Sequence, residues 1–422
     1  MAVDFMQSFV EKNRQLNSHH VNIKFIQADV LKLGLPEKSF DIIFTNWLLM
    51  YMSDEEVQTF FINCLRWLKE DGYLFFRESC YHQSGNVKRT VNPTRYRSPL
   101  EYTGALHMAM VQSEKGIPGR FGYEITISKP VDTYIKYKSN YNQICWLAQK
   151  VHQSEPFSSS SKTFQEFLDQ QQYSRNGILR YEKIFGRHFI STGGLDTTKE
   201  FVNMLELRPK QKVLDVGSGI GGSAFYMAKS YDVNVLGIDL SYNMVSIAWE
   251  RMREIQDNRV KFLVADATKM SIPAESFDVV YSRDTILHIP DKAALFDRFI
   301  TWLRPGGKLL ISDYCCGDGK HSEEFKNYVK QRGYILYSIP EYGKILEKVG
   351  FVNVKAEDRT SLFIEVLSKE LKKMETVKDE FLQAFAQTDY DDIVNGWKDK
   401  QVRCGQGDQK WGLFYAEKPV NH

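Results

Sequence analysis

One thirty-residue segment occurs twice in this chain. Shifted by 237 positions, VKFLVADATKMSIPAESFDVVYSRDTILHI (260–289) aligns without a gap on IKFIQADVLKLGLPEKSFDIIFTNWLLMYM (23–52), and nine of the 30 positions are identical. Most of the others exchange one apolar residue for another, so what repeats is a core-forming pattern. With two extra residues in the first copy the match runs on, WLKEDGYLFFRESC (67–80) pairing with WLRPGGKLLISDYC (302–315). An offset above 200 residues belongs to duplicated domains, not to a short-period solenoid. At 422 residues the chain has room for two or three domains, each with its own core.

The second copy reads further upstream than the first. KVLDVGSGIGG (212–222) has the pattern of a buried strand, a glycine turn and a helix start, and NVLGIDL (234–240) that of a second strand ending in Asp239. Under the same shift Asp239 falls on Ala2 and the glycine loop falls before Met1, so the first copy is expected to be a partial domain. Strand candidates near 212–217, 234–239, 260–265, 277–282 and 308–313 alternate with helical stretches, which predicts a parallel, doubly wound α/β sheet. FVNVKAEDR (351–359) and WGLFYAEK (411–418) would close it with a reversed hairpin. The resulting map has a degenerate domain over 1–155 and a complete one over 156–422. In the first, the αβ copy ends near 85, and the aromatic-rich 86–150 would supply strands packed on it. HQSEPFSSSSK (152–162) is the linker candidate, and the second domain carries a helical insertion near 322–347.

Ligands of such sheets sit at the carboxyl ends of the strands. Gly217, Gly219 and Gly222 permit a tight turn close to a nucleotide, and Asp239 can accept hydrogen bonds from ribose hydroxyls. By itself this G-x-G-x-x-G fits a dinucleotide dehydrogenase equally well. Asp215, two residues before the first glycine, would repel a pyrophosphate but attract the ammonium of S-adenosylmethionine. Asp266, in VADAT, can accept from an adenine amino group, with Ala267 beside it. Both features favour a methyltransferase. In YSRDTILHIP (281–290) three polar residues, Arg283, Asp284 and His288, stand where the first copy has Asn46, Trp47 and Tyr51. Imidazole titrates near neutrality, so His288 is a candidate general base.

Other classes find less support. The net charge of +2 and the lack of a long basic run give nucleic acid no foothold. No apolar run approaches the roughly 20 residues of a membrane span, and the amino end is not patterned as a signal peptide. The six cysteines have no C-x-x-C spacing and no His or Cys partners at ligand spacing, so no metal is expected and the thiols read as those of a reduced, cytoplasmic protein.

QYSRNGILRYEKIFGRHFISTGGL (172–195), VLDVGSGIGG, YSRDTILHI, ISDYC and YVKQRGY resemble the phosphoethanolamine N-methyltransferases of plants, nematodes and protozoan parasites. NPTRYRSPLEY and NQICWLAQKV also resemble the middle of the double-domain members. The resemblance implies a seven-stranded, mostly parallel Rossmann-like class I S-adenosylmethionine-dependent fold at the carboxyl end. It also implies methyl transfer onto a phosphobase, no metal, and a monomer. The pattern is that of the second nematode enzyme, whose active carboxyl-terminal domain takes phosphomonomethylethanolamine to phosphocholine. Alternatives are all three methylations, a non-catalytic regulatory protein of two worn domains, and a sterol or tocopherol C-methyltransferase. Carried over by position, Tyr173 and His288 form a catalytic dyad, Asp284 faces the amine and Arg283 the cofactor side. Gln172, Tyr181, Ile190, Ser191, Gly217, Asp239, Leu240, Asp266 and Ala267 match cofactor positions. Tyr314, Tyr328, Arg332, Tyr334 and Lys400 match phosphate positions, Lys400 through W397-x-x-K400. The first copy is either a silent remnant or a phosphobase site using NPTRYR (92–97) without cofactor.

Overall fold

The computed structural model describes residues 1–82, 94–113, 118–153 and 163–420. The chain divides into two compact units, Met1–Thr163 and Phe164–His422. Residues 154–162 of the linker candidate, and Asn92 and Pro93 of NPTRYR, lie outside the described residues.

In the first unit, β1 (Ala2–Asp4) and β2 (Phe25–Gln27) form a short parallel pair. A second sheet contains β3 (Phe40–Asn46), β4 (Leu68–Ser79), β5 (Val111–Gln112), β6 (Arg120–Pro130) and β7 (Gln143–Gln153). β3 runs parallel to β4, β7 antiparallel to β4, and β6 and the short β5 continue antiparallel from there. The aromatic-rich region expected to pack on the copy therefore enters its sheet, because QICWLAQKV alternates buried and half-buried residues along β7. Trp146 stacks on Phe76 of β4 at 4.6 Å and meets Tyr102 edge-on at 5.6 Å.

Among the described residues the second unit holds seven strands: β8 (Lys212–Val216), β9 (Asn234–Asp239), β10 (Val260–Ala265), β11 (Phe277–Arg283), β12 (Leu303–Cys316), β13 (Val352–Asp358) and β14 (Gln409–Glu417). Their order is β13-β14-β12-β11-β8-β9-β10. β8 to β12 are mutually parallel, and β14 runs antiparallel to both β12 and β13. This is the Rossmann-like methyltransferase sheet with its reversed hairpin. Leu214, Val216, Ile238, Val280, Leu309, Ile311 and Phe414 join one core cluster. The strands read as apolar runs because layers cover both faces. Each buried Leu, Ile, Val or Phe contributes about 1.5–3 kcal/mol.

From β8 the chain steps outward to β9 and β10, then returns to the other side of β8 as β11. The crevice at that reversal opens at the strands' carboxyl ends. It gathers Asp215, Asp239, Asp266, Asp284 and Tyr314. The helical insertion consists of two helices, Glu323–Arg332 and Ile339–Val349. The first begins at Ser322, whose hydroxyl accepts from Phe325 N (3.2 Å) and donates to Asp408 (2.6 Å), pinning it to the turn before β14.

Candidate active site

The glycine turn needs its glycines. Gly217 has φ +74°, and a Cβ there would lie 2.1 Å from Thr285 Oγ1. Gly219, at φ +54°, donates its N–H to Asp239 Oδ2 (2.9 Å), and Ile190 packs over it. The helix Gly222–Tyr231 follows directly. Asp239 Oδ1 accepts from Ser241 N (2.8 Å); burial holds this carboxyl up at about 6, against the pull of those backbone N–H groups. Asp215 is buried, its Oδ2 has no hydrogen-bond partner, and burial with the nearby Asp239 pushes it up to about 8. The buried Asp215 and the half-buried Asp239 thus stand side by side, one of them with an unanswered oxygen. At the end of β10 Asp266 Oδ1 accepts from Thr268 N (2.8 Å) and Oγ1 (2.6 Å), beside the buried Ala267.

The segment 164–173 crosses the crevice and is stitched down along its length. Gln165 donates to the Leu240 carbonyl (2.9 Å). Asp169 accepts from the Ser241 hydroxyl (2.5 Å) and from the backbone N–H groups of Tyr242 and Asn243 (both 3.1 Å), at the start of the helix Tyr242–Ile255. Asn243 returns a bond to the Tyr173 carbonyl (2.9 Å), and Gln172 donates to the Arg332 carbonyl (2.7 Å). A single π-turn, Leu168–Gln172, ends here and delivers Tyr173. The Tyr173 hydroxyl lies 3.3 Å from His288 Nε2. Gln172, expected to touch cofactor, spends its amide donor on this strap.

His288 closes a short 3-10 turn after β11, Ile286–His288, and is buried. The turn is held by Lys292, itself buried, whose Nζ donates to the carbonyls of Ile286 (2.6 Å) and Ile289 (3.1 Å). Burial first, then the Lys292 and Arg332 cations, hold the imidazole down at about 4. Burial thus favours the neutral imidazole here more than in water, where the group titrates near neutrality. Burial and the charge of Asp239 push the Tyr173 hydroxyl well above the ordinary tyrosine range, so it remains a phenol.

Arg283 also departs from expectation. Its two terminal nitrogens bond the Thr192 carbonyl (2.6 Å), Thr197 Oγ1 (2.6 Å), Thr198 Oγ1 (2.7 Å) and the Gly194 carbonyl (3.3 Å). The guanidinium thus ties down the turn that follows Ile190 and Ser191, because the end of β11 points it beneath that turn. Ser191 accepts from Gly194 N (3.0 Å) within the same turn. Asp284 sits at φ +50° and holds one oxygen, Oδ2, buried and without a partner.

Around His288 the tyrosines converge. Tyr334 meets the imidazole edge-on at 5.1 Å, Tyr328 at 5.8 Å and Tyr314 at 6.3 Å. Lys400, from the helix Gln387–Gly405, donates to the Tyr314 hydroxyl (3.0 Å), and the Arg332 guanidinium is 5.9 Å from the Tyr328 ring. Tyr181 stacks on Phe185 in the helix Arg175–Phe185. Sequence reasoning missed Arg403, whose guanidinium stacks 3.8 Å over Tyr328, and Trp411, whose indole reaches Asp284. Arg403 comes from the helix Gln387–Gly405, and the pairing of β14 with β12 brings Trp411 to the site. Among the described residues no group of three or more His, Cys, Asp or Glu is placed to hold a metal, and no helix is long and apolar enough to cross a membrane.

A methyltransferase domain family model matches residues 1–76 and 214–311, bracketing the duplicated segment in both units. Phosphoethanolamine N-methyltransferase 3 of Arabidopsis thaliana is 51% identical over 422 residues, 99% of this chain and 84% of that protein. The chain belongs to the phosphoethanolamine N-methyltransferase family. Phosphoethanolamine N-methyltransferase 2 of Caenorhabditis elegans is 43% identical over 63% of this chain. Among solved structures, phosphoethanolamine N-methyltransferase 2 of Haemonchus contortus, in complex with phosphomonomethylethanolamine and S-adenosylhomocysteine, superposes with a TM-score of 0.82. It is 31% identical and covers 97% of this chain and 92% of its own.

Proposed function

We propose that the second unit transfers a methyl group from S-adenosylmethionine to the amine of a phosphobase. The observation that carries this reading is the Tyr173–His288 contact, set among three tyrosines, Arg332 and Lys400 and beside the unpaired oxygen of Asp284. When bound, the cofactor supplies an electrophilic methyl on a sulfonium. Asp215 and Asp239 give its cationic and ribose portions acceptors, and the glycine turn gives them room. Tyrosine hydroxyls, a guanidinium and an ammonium suit a phosphate monoester, and Tyr314, Tyr328, Arg332, Tyr334 and Lys400 would hold it. Asp284 attracts the ammonium of the substrate. The dianionic phosphate of a bound phosphobase would offset the Lys292 and Arg332 cations that hold the imidazole down, so that His288 takes the amine proton and frees the lone pair, while Tyr173 orients the imidazole through Nε2.

The narrower reading starts from phosphomonomethylethanolamine and ends at phosphocholine, supported by the likeness to the Haemonchus protein and by Tyr51 standing where a first-unit base would be. All three methylations form the second reading, favoured by the higher and longer identity to the Arabidopsis protein than to the nematode ones. In both readings the enzyme works as a cytoplasmic monomer. Label transfer from methyl-labelled donor onto phosphoethanolamine, phosphomonomethylethanolamine and phosphodimethylethanolamine, with the full chain, separates them. Labelling of the last two alone supports the narrower reading, labelling of all three supports the wider, and no labelling by folded protein overturns both.

A further inference from the structure

The Asp284 carboxylate is held by one edge. Oδ1 accepts from Trp411 Nε1 (2.8 Å) and Ser312 Oγ (3.1 Å), while the backbone N–H of Asp284 donates to the Ser312 carbonyl (2.8 Å). Rotation of a carboxylate about its last side-chain torsion is soft, so two donors on one oxygen are what fix the other. Oδ2 is left buried with no partner. The Trp411 donor cannot drift. The residue is fully buried, its ring lies 5.1 Å from Phe363 and 5.4 Å from Phe201, and its backbone bonds Arg359 N and Thr360 Oγ1.

The first unit supplies a control. Trp47 occupies the turn position of Asp284, at φ +53°, and its indole donates to Gln143 Oε1 (2.8 Å). Gln143 pairs with Ser79 in β4 as Trp411 pairs with Tyr314 in β12. The indole-to-oxygen bond is thus present in both units with its partners exchanged, but only the second arrangement leaves an anionic oxygen open.

We propose that Trp411, with Ser312, is a positioning residue that presents Asp284 Oδ2 as a single acceptor for an amine N–H, biasing the site toward phosphobases that retain an N–H over fully methylated phosphocholine. The inference rests on the phosphobase reading above. A buried acceptor without a partner is costly, and a ligand N–H removes that cost whereas a trimethylammonium cannot.

Calorimetry on the full chain with S-adenosylhomocysteine tests it, comparing phosphomonomethylethanolamine with phosphocholine. Trp411→Phe is expected to weaken the first about tenfold and the second by less than about twofold, in keeping with loss of a bond to a charged group. S-adenosylhomocysteine affinity should stay unchanged. Ser312→Ala, which removes no core volume of note, should act in the same direction by about threefold and decides the matter alone if Trp411→Phe does not fold. Equal weakening of both ligands, or no change in a folded variant, overturns the inference. Wild-type protein that binds neither ligand overturns the phosphobase reading and this inference with it.

Discussion

The turns at 46–52 and 283–289 have one frame and two fillings. Trp47 and Asp284 share a left-handed backbone, and each donates its N–H to the neighbouring strand, to Arg77 O (2.9 Å) and Ser312 O (2.8 Å) respectively. An acid from that strand holds each 3-10 turn: Glu78 accepts from Leu48, Leu49 and Met50 N, and Asp313 accepts from Leu287 N. A buried cation holds the same two carbonyls in both: Arg97 bonds Leu49 O and Met52 O, and Lys292 bonds Ile286 O and Ile289 O. The cations come from unrelated places in the chain, so the frame is a requirement of the fold. The fillings differ in burial, Tyr51 being 56% exposed and His288 8%. The difference also bears on NPTRYR. Arg97 is committed to the turn and to Asp54, and Arg95 pairs with Asp54 (2.6 Å), in keeping with the remnant reading of the first copy over the alternative of a phosphobase site at NPTRYR.

The sharpest way to break the comparison is to exchange its fillings. His288→Ala should lower turnover by about 100-fold or more while S-adenosylmethionine affinity stays within about twofold, since general-base catalysis contributes at least that much. Tyr51→Ala should change neither by more than about twofold. Radiolabel transfer and calorimetry read both. Equal losses in the two variants would mean that the turns act as folding elements alone.

A second test uses proton linkage. Buried His288 stays neutral down to about 4, whereas the unfolded chain's imidazole takes up its proton near 6.5. Above that range neither state is charged and the residue contributes no pH dependence. Between about 6.5 and 4 the unfolded state binds the extra proton, so stability falls as pH falls, by about 3 kcal/mol in all. His288→Gln should flatten that part of the curve of denaturation free energy against pH. An unchanged slope would mean that the imidazole is solvated in the folded protein.

What could be read from the chain beforehand follows the same division. The parallel strands and the glycine turn were legible because buried parallel strands are written as apolar runs, and β10, β11 and β12 are also repeated in the first copy. Tyr173, His288, Tyr314, Tyr334 and Lys400 were named from separated motifs, and the fold brings them together. Arg283, Gln172 and Trp411 were not legible in their true settings. Whether a polar side chain faces a ligand or a neighbouring turn depends on the twist of one strand end and the register of β14 against β12, which local pattern does not encode. Membership of β5, β6 and β7 in the first unit's sheet escaped for the same reason, as antiparallel pairing of β7 with β4 is a long-range choice.

The smallest effect concerns the frame itself. Lys292→Met and Arg97→Met each remove a buried cation and the side-chain donor to two turn carbonyls, at a cost of about 1–3 kcal/mol. The loss should be local, so hydrogen exchange is the measurement. Amides of 286–289 should exchange about tenfold or more faster in Lys292→Met, with those of 48–52 unaffected, and the converse should hold for Arg97→Met. Lys292→Met carries one consequence that Arg97→Met lacks. The Lys292 charge is among the forces holding His288 down, so its removal should raise the imidazole toward its ordinary value and shrink the acid-side stability slope. A variant that loosened the turn yet left that slope intact would separate the frame from its filling, and would place the control of His288 in burial and Arg332 alone.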